Sequence, residues 1–187
     1  GLYPENVLSL TSIEGVGAFW QEVQEKNGPK AKIREWFSQA KTLAGRIPRR
    51  YGSLDAAFER MQESNPHLSE DRAKHLTVHG SHLNEDGSFT WKFDPYTYSW
   101  PPMGLPFNET IQIWKQIRCP TLLLNATDGL EHRTGQDGTL QWFRDAVSIE
   151  IGDAGHWLHH DQFDLFVKNL KQFLSKADET QQPSGRR

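Results

Sequence analysis

The residues best equipped for chemistry stand at Gly152-Asp153-Ala154-Gly155-His156-Trp157, directly after an apolar, β-rich run. Imidazole titrates near neutrality, so His156 can accept a proton and return it within one reaction cycle. The glycines let the backbone turn sharply and hold a side chain at the mouth of a loop. A lone histidine is more often a surface or helix-start residue; the strand before this one and the glycines beside it give it functional weight. A carboxylate-bearing turn, Asn125-Ala126-Thr127-Asp128-Gly129, follows an earlier apolar run. Asp128 there can accept the N–H of His156 and stabilise the imidazolium. The competing reading of Asp128-Gly129 is a plain turn.

Other candidates carry less. His156, His159, His160 and Asp161 cluster in sequence, but ligation at i, i+3 and i+4 needs a helix already running at His156, where the glycines favour a loop. No metal and no cofactor are expected. His75, His79 and His82 read as solvated positions. Trp91, Phe93, Trp100 and Trp157 are residues that can wall an apolar substrate pocket, although core packing accounts for them equally; Trp157, beside the histidine, is the strongest of them.

The elements that must position these groups follow from periodicity. Val7-Leu8-Ser9-Leu10-Thr11-Ser12-Ile13, after the turn Tyr3-Pro4-Glu5-Asn6, reads as a buried strand. From Val16 to about Ile117 the pattern is helical and polar. Phe19, Trp20 and Val23 recur at helical spacing, as do Ile33, Trp36, Phe37 and Ala40. Leu54, Ala57, Phe58 and Met61 form another apolar stripe behind the cap residue Ser53, and Ser69 caps a helix with Glu70 and Asp71 in its first turn. Asp86-Gly87 is a turn, followed by the alternating Phe89, Trp91 and Phe93 of a short half-buried strand. Thr121-Leu122-Leu123-Leu124 is a second buried strand, then a helix with Leu140, Trp142 and Phe143. A third strand, Val147–Ile151, ends at Gly152-Asp153-Ala154-Gly155, and a last helix carries Phe163, Phe166, Val167, Leu170, Phe173 and Leu174. From Lys176 onward a disordered polar tail is expected. Strand, helix, strand, helix reads as parallel α/β, whose sites lie at the C-terminal ends of the strands.

Composition bounds the rest. Of the 187 residues 36% are hydrophobic and 11% aromatic, enough to fill a core and to set global disorder aside. The formal net charge is −3, with Lys and Arg scattered among Glu and Asp, so no nucleic-acid partner is expected. Cys119 is the single cysteine, which fits a reducing, cytoplasmic compartment. No apolar run reaches the roughly 18–20 residues that span a bilayer, and no membrane partner is expected.

Three stretches together resemble the α/β-hydrolase superfamily, in particular its serine-hydrolase-like members. Tyr3-Pro4-Glu5-Asn6-Val7 with Leu10-Thr11-Ser12-Ile13-Glu14-Gly15 is similar to the segment after that family's nucleophile helix. Ile117-Arg118-Cys119-Pro120-Thr121-Leu122-Leu123-Leu124 is similar to its penultimate core strand, and Gly155-His156-Trp157 with the final helix to its histidine loop. The resemblance implies the C-terminal part of an α/β-hydrolase fold with a helical cap insertion. Residues 1–15 would supply a core strand, 16–117 the mainly helical cap, 118–175 the core carrying acid and histidine, and 176–187 the tail. It implies hydrolysis of an ester-like bond in a small apolar substrate by a nucleophile–histidine–acid triad. The family order is nucleophile, acid, histidine; no G-x-S-x-G is present, so the nucleophile is expected upstream of Gly1 and this chain alone is expected to be inactive. The family's acid often stands one position beyond Asp128, at Gly129. Asp128 is put first, with Glu14, at the end of the first strand, as the alternative acid. An aspartate nucleophile would instead give epoxide hydrolase or haloalkane dehalogenase chemistry. The reading from a different class is a noncatalytic protein whose incomplete sheet binds a partner, either the missing N-terminal half or a second copy.

Overall fold

The structure, a computed structural model, describes residues 1–15, 28–99, 104–131, 133–136 and 138–181. The helical spacing of Phe19, Trp20 and Val23 lies outside them. The chain divides into two compact units, Gly1–Gln21 with Leu105–Arg187, and Glu22–Gly104.

The first unit is built on a parallel sheet. Strand β1 (Leu10–Ile13) pairs with β4 (Thr121–Asp128), which pairs with β5 (Ala146–Gly155), in the order β1-β4-β5. Leu10 stands opposite Thr121 and Ile13 opposite Leu124, while Thr121 to Ala126 face Ala146 to Ile151. As the middle strand, β4 is covered on both faces, which is why Thr121 to Ala126 are all buried and why its sequence is a continuous apolar run rather than an alternation. Strand periodicity sends Leu122, Leu124 and Ala126 to one face, where they meet Ile151, Ala154 and Leu158 and, at the edge, Phe166 and Phe173. Leu123 goes to the other face, among Trp114, Ile117, Cys119 and Phe143. Trp114 closes helix α4 (Phe107–Trp114) and stacks on Phe143, ring centroids 5.3 Å apart. Helix α4 and Ile117 thus belong to this unit, although the sequence assigns residues up to 117 to the insertion.

Three further expectations are corrected here. Strand β5 does not stop at Gly152 but runs to Gly155. Ala126 faces Ile151 and Asp128 faces Gly155, so two steps on β4 match four on β5, a bulge that keeps the longer strand paired. Asp153, at φ 52°, sits within it. The expected helix around Leu140, Trp142 and Phe143 is a single 3-10 turn, Thr139–Trp142, because the segment between Gly138 and Ala146 is too short for more and its aromatics turn onto Trp114. The last helix, α6 (Phe163–Gln181), continues past Lys176, and Ala177 is buried; the residues from Lys176 to Gln181 contain neither Gly nor Pro to break it. A short helix α5 (Leu158–Asp161) precedes it.

The second unit contains α1 (Gly28–Ala44), α2 (Leu54–Ser64), α3 (Glu70–Gly80) and the antiparallel pair β2 (Ser81–Leu83) and β3 (Phe89–Trp91). The Ser53 hydroxyl accepts the Ala56 N–H at 3.1 Å and the Ser69 hydroxyl that of Arg72 at 3.4 Å, the capping that the sequence predicts. Strand β3 ends at Trp91, so Phe93 lies beyond it and is exposed. No helix among the described residues is long and apolar enough to cross a membrane.

Candidate active site

Three adjacent strands deliver the groups of interest to one end of the sheet. Glu14 directly follows β1, with its N–H still donating to Leu124 O at 2.8 Å. Its backbone is left-handed, φ 59°, and Gly15 follows at φ 126°. The pair turns the chain off the sheet, and the Ser12 hydroxyl braces the turn by donating to Gly15 O at 2.7 Å. Left-handed backbone is costly for a residue with a side chain. What is gained is placement: the Glu14 side chain is fully buried at the end of β4.

A buried carboxylate must be compensated, and β4 and the turn after it do this. The Ala126 N–H donates to Glu14 Oε1 at 2.5 Å and the Leu130 N–H to Oε2 at 2.7 Å. Charge-assisted bonds of this kind are the strong ones. Arg133 holds the donor turn from outside, giving Nε to Leu130 O at 2.7 Å and a terminal nitrogen to Thr127 O at 2.8 Å. Asn125, buried on β4, donates to Thr134 O at 3.0 Å.

The third partner is His156, which follows β5. Its Nδ1 lies 3.6 Å from Glu14 Oε2, within ion-pair range and longer than a hydrogen bond. The imidazole is about half exposed while the carboxylate is not exposed at all. The Gly155 N–H before it donates to Asp161 Oδ2 at 2.9 Å, tying the strand end to α5. Where such a carboxylate closes to hydrogen-bond distance of Nδ1, it holds the imidazole in one tautomer and leaves Nε2 to exchange protons.

Asp128, the carboxylate the sequence puts first, is exposed at the end of β4, with its Cα opposite Gly155. It is in the same neighbourhood; the carboxylate recorded within ion-pair range of the imidazole is that of Glu14. Gly129 explains the arrangement. A Cβ at position 129 would fall 2.5 Å from Glu14 Cδ and closer still to both carboxylate oxygens. The space that a side chain at 129 would fill is occupied by the Glu14 carboxylate. Sequence reading misses this role for Gly129 and the donors at Ala126 and Leu130; the Glu14-Gly15 step at a strand end was the available signal.

Trp157 is about one-third exposed and meets the His160 ring edge-on, centroids 6.0 Å apart. Trp91, in the second unit, donates its indole N–H to the Tyr51 hydroxyl at 3.1 Å, and Trp100 lies outside the described residues. His75 and His79 are exposed on α3, ring centroids 4.4 Å apart. Because α5 begins at Leu158, His156 shares no helix with His159 and His160, and no group of three potential metal ligands occurs among the described residues.

No protein-family model matches this sequence, and no curated protein matches it. Solved structures do. The Mycobacterium tuberculosis esterase Rv0045c aligns with TM-score 0.68 at 13% identity over 93% of this chain and 56% of its own. E-2-(acetamidomethylene)succinate hydrolase gives 0.67 at 15% over 93% and 60%. The peroxisomal alpha-beta-hydrolase Lpx1 of Saccharomyces cerevisiae gives 0.62 at 11% over 98% and 51%. The fold is that of the α/β-hydrolases. The chain spans a little over half the length of the α/β-hydrolases it matches. In such folds ligands bind beyond the carboxyl ends of the strands, the end at which Glu14 and His156 meet.

Proposed function

We propose that this chain contributes the base and the acid of an α/β-hydrolase that cleaves an ester-like bond in a small apolar substrate. The observation that carries the reading is the buried Glu14 carboxylate facing Nδ1 of the half-exposed His156 at the C-terminal end of a parallel sheet. In this reading Glu14, rather than Asp128, is the acid. It holds the imidazole in one tautomer and stabilises the imidazolium. His156 takes the proton of a nucleophile that precedes Glu14 in family order and comes from outside this sequence. It then activates water to release the acyl-enzyme. The structural neighbours are hydrolases and esterases, which supports the class of reaction. Trp157 is proposed to line the substrate site, and the insertion between β1 and β4 to serve as the cap.

The test is turnover of short acyl esters, epoxides and haloalkanes by the full-length protein and by His156→Ala and Glu14→Gln. Loss of one triad member costs several orders of magnitude in kcat, so His156→Ala is expected to fall at least a thousandfold on one substrate class while folding is retained. Turnover of an epoxide or haloalkane instead of an ester would assign an aspartate nucleophile to the same base. Equal turnover by parent and His156→Ala on all three classes overturns the reading.

A specific observation favours the noncatalytic reading as well. Leu2, Tyr3, Val7 and Leu8, which precede β1 in sequence, are exposed, and β1 has β4 on one side only among the described residues. Apolar surface at a strand edge suits a further strand from a second polypeptide. Co-purification of such a chain with a protein inert on all three substrate classes would favour it.

A further inference from the structure

The charge balance of the whole chain conceals one local excess. Between Gly28 and Arg50 stand Lys30, Lys32, Arg34, Lys41, Arg46, Arg49 and Arg50 against Glu35 alone, six net positive charges in a chain of −3, so that all other residues carry −9. Helix α1 occupies most of this segment and buries none of its residues. Ile33, Phe37 and Ala44 fall at i, i+4 and i+11, a single ridge along a helix of 3.6 residues per turn. Lys30, Arg34 and Lys41 repeat that spacing three residues earlier, so a cationic ridge runs beside the apolar one, roughly 60° round the helix. Phe37 is 62% exposed, and Ile47, just past the helix, is 85% exposed. Lys30, Lys32, Arg34, Lys41 and Arg46 form no ion pair with any described residue, whereas Arg50 pairs with Asp86 and Arg49 lies over the Tyr51 ring.

We propose that Gly28–Arg50 is a membrane-surface segment, with α1 lying on anionic lipid. An exposed apolar ridge flanked by lysine and arginine is the pattern of helices that rest in the headgroup region, apolar side chains inserted and cations at the phosphates. Single-stranded nucleic acid stacks its bases on an exposed aromatic ring such as Phe37 but does not call for the exposed aliphatic Ile33 and Ile47, and an acidic protein groove would satisfy the charges without calling for insertion. The sequence-based expectation of no membrane partner rested on the lack of a spanning segment, and lying on a bilayer needs none. The proposal is independent of the Glu14–His156 pair.

The experiment is co-sedimentation of the full-length protein with vesicles of phosphatidylcholine alone and of phosphatidylcholine mixed with phosphatidylserine, at low and high salt. Binding only to the mixed vesicles, and weakened by salt, is expected. Each cation near the surface contributes about fivefold, so Lys30→Gln with Arg34→Gln and Lys41→Gln should weaken binding roughly a hundredfold. Phe37→Ser should weaken vesicle binding and leave retention on a heparin column unchanged. Its exposure makes it a mild change to folding, checked by the urea midpoint of the same sample. Absence of sedimentation with mixed vesicles, equal binding to both vesicle types, or heparin retention without vesicle binding would each overturn the proposal; the last would assign the segment to a polyanion instead.

Discussion

Gly129→Ala should destabilise the protein in the presence of Glu14 and should not do so in its absence. The new Cβ would lie 2.5 Å from Glu14 Cδ, whereas ordinary contact begins near 3.4 Å, so the carboxylate must retreat by about 1 Å. A retreat of that size breaks at least one of the bonds from the Ala126 and Leu130 N–H groups, now 2.5 and 2.7 Å long. A hydrogen bond to a charged group contributes about 1.5–3 kcal/mol, and overpacking costs about 1–3 kcal/mol. Partial relaxation of the carboxylate toward His156 offsets some of this, leaving an expected loss of roughly 2–4 kcal/mol. Position 129 has no positive φ, so alanine is acceptable to the backbone. In a Glu14→Ala background the obstacle is gone, and glycine to alanine should be neutral or stabilising by up to about 1 kcal/mol through the unfolded chain. A double-mutant cycle by urea unfolding of the full-length protein measures the difference. Equal cost of Gly129→Ala in both backgrounds, or no cost with Glu14 present, would refute the idea that the two residues share one space.

Burial first, and then the neighbouring His160, hold the His159 imidazole below its ordinary pKa. The folded state therefore binds fewer protons than the unfolded chain, so this contribution to stability is complete above the unfolded value near 6.5 and is lost as pH falls through the lower folded value. Unfolding midpoints measured from pH 7.5 down to 5 should fall less steeply for His159→Gln than for the parent; identical slopes would remove His159 from the account. Asp153→Val places a β-branched residue at φ 52° and should cost about 1–2 kcal/mol, while Asp153→Gly should cost little, as read by thermal unfolding. Leu124→Ala, at a fully buried position of the middle strand, should cost about 2–5 kcal/mol in urea unfolding.

The parts legible from sequence are those whose signal is local. The apolar run at Thr121–Leu124, the stripe of the final helix and the caps at Ser53 and Ser69 each state their structure within a few residues, and each is found. The continuation of β5 through Gly152 and Gly155 was not legible, because those residues are held in the strand by pairing with β4 rather than by their own preference. The placement of the Glu14 carboxylate beside His156 was hidden for the same kind of reason. Glu14 meets its donors 112 and 116 residues away, and nothing near Glu14 in sequence announces them. Asp128, with its neighbouring glycine, is the more conspicuous locally, yet that glycine serves the other carboxylate.

The overlap of the Glu14 carboxylate with the missing side chain at 129 has an evolutionary corollary. The space beside the Ala126 and Leu130 N–H groups admits either the Glu14 carboxylate or a side chain at 129, but not both. If that carboxylate is the acid of a triad, as proposed above, a lineage relocates it by two substitutions, a carboxylate gained at one address and surrendered at the other, without disturbing His156. The intermediate carrying both is crowded, and under that proposal the one carrying neither is slow. Related chains should therefore hold an acid at one of these addresses and a small residue at the other.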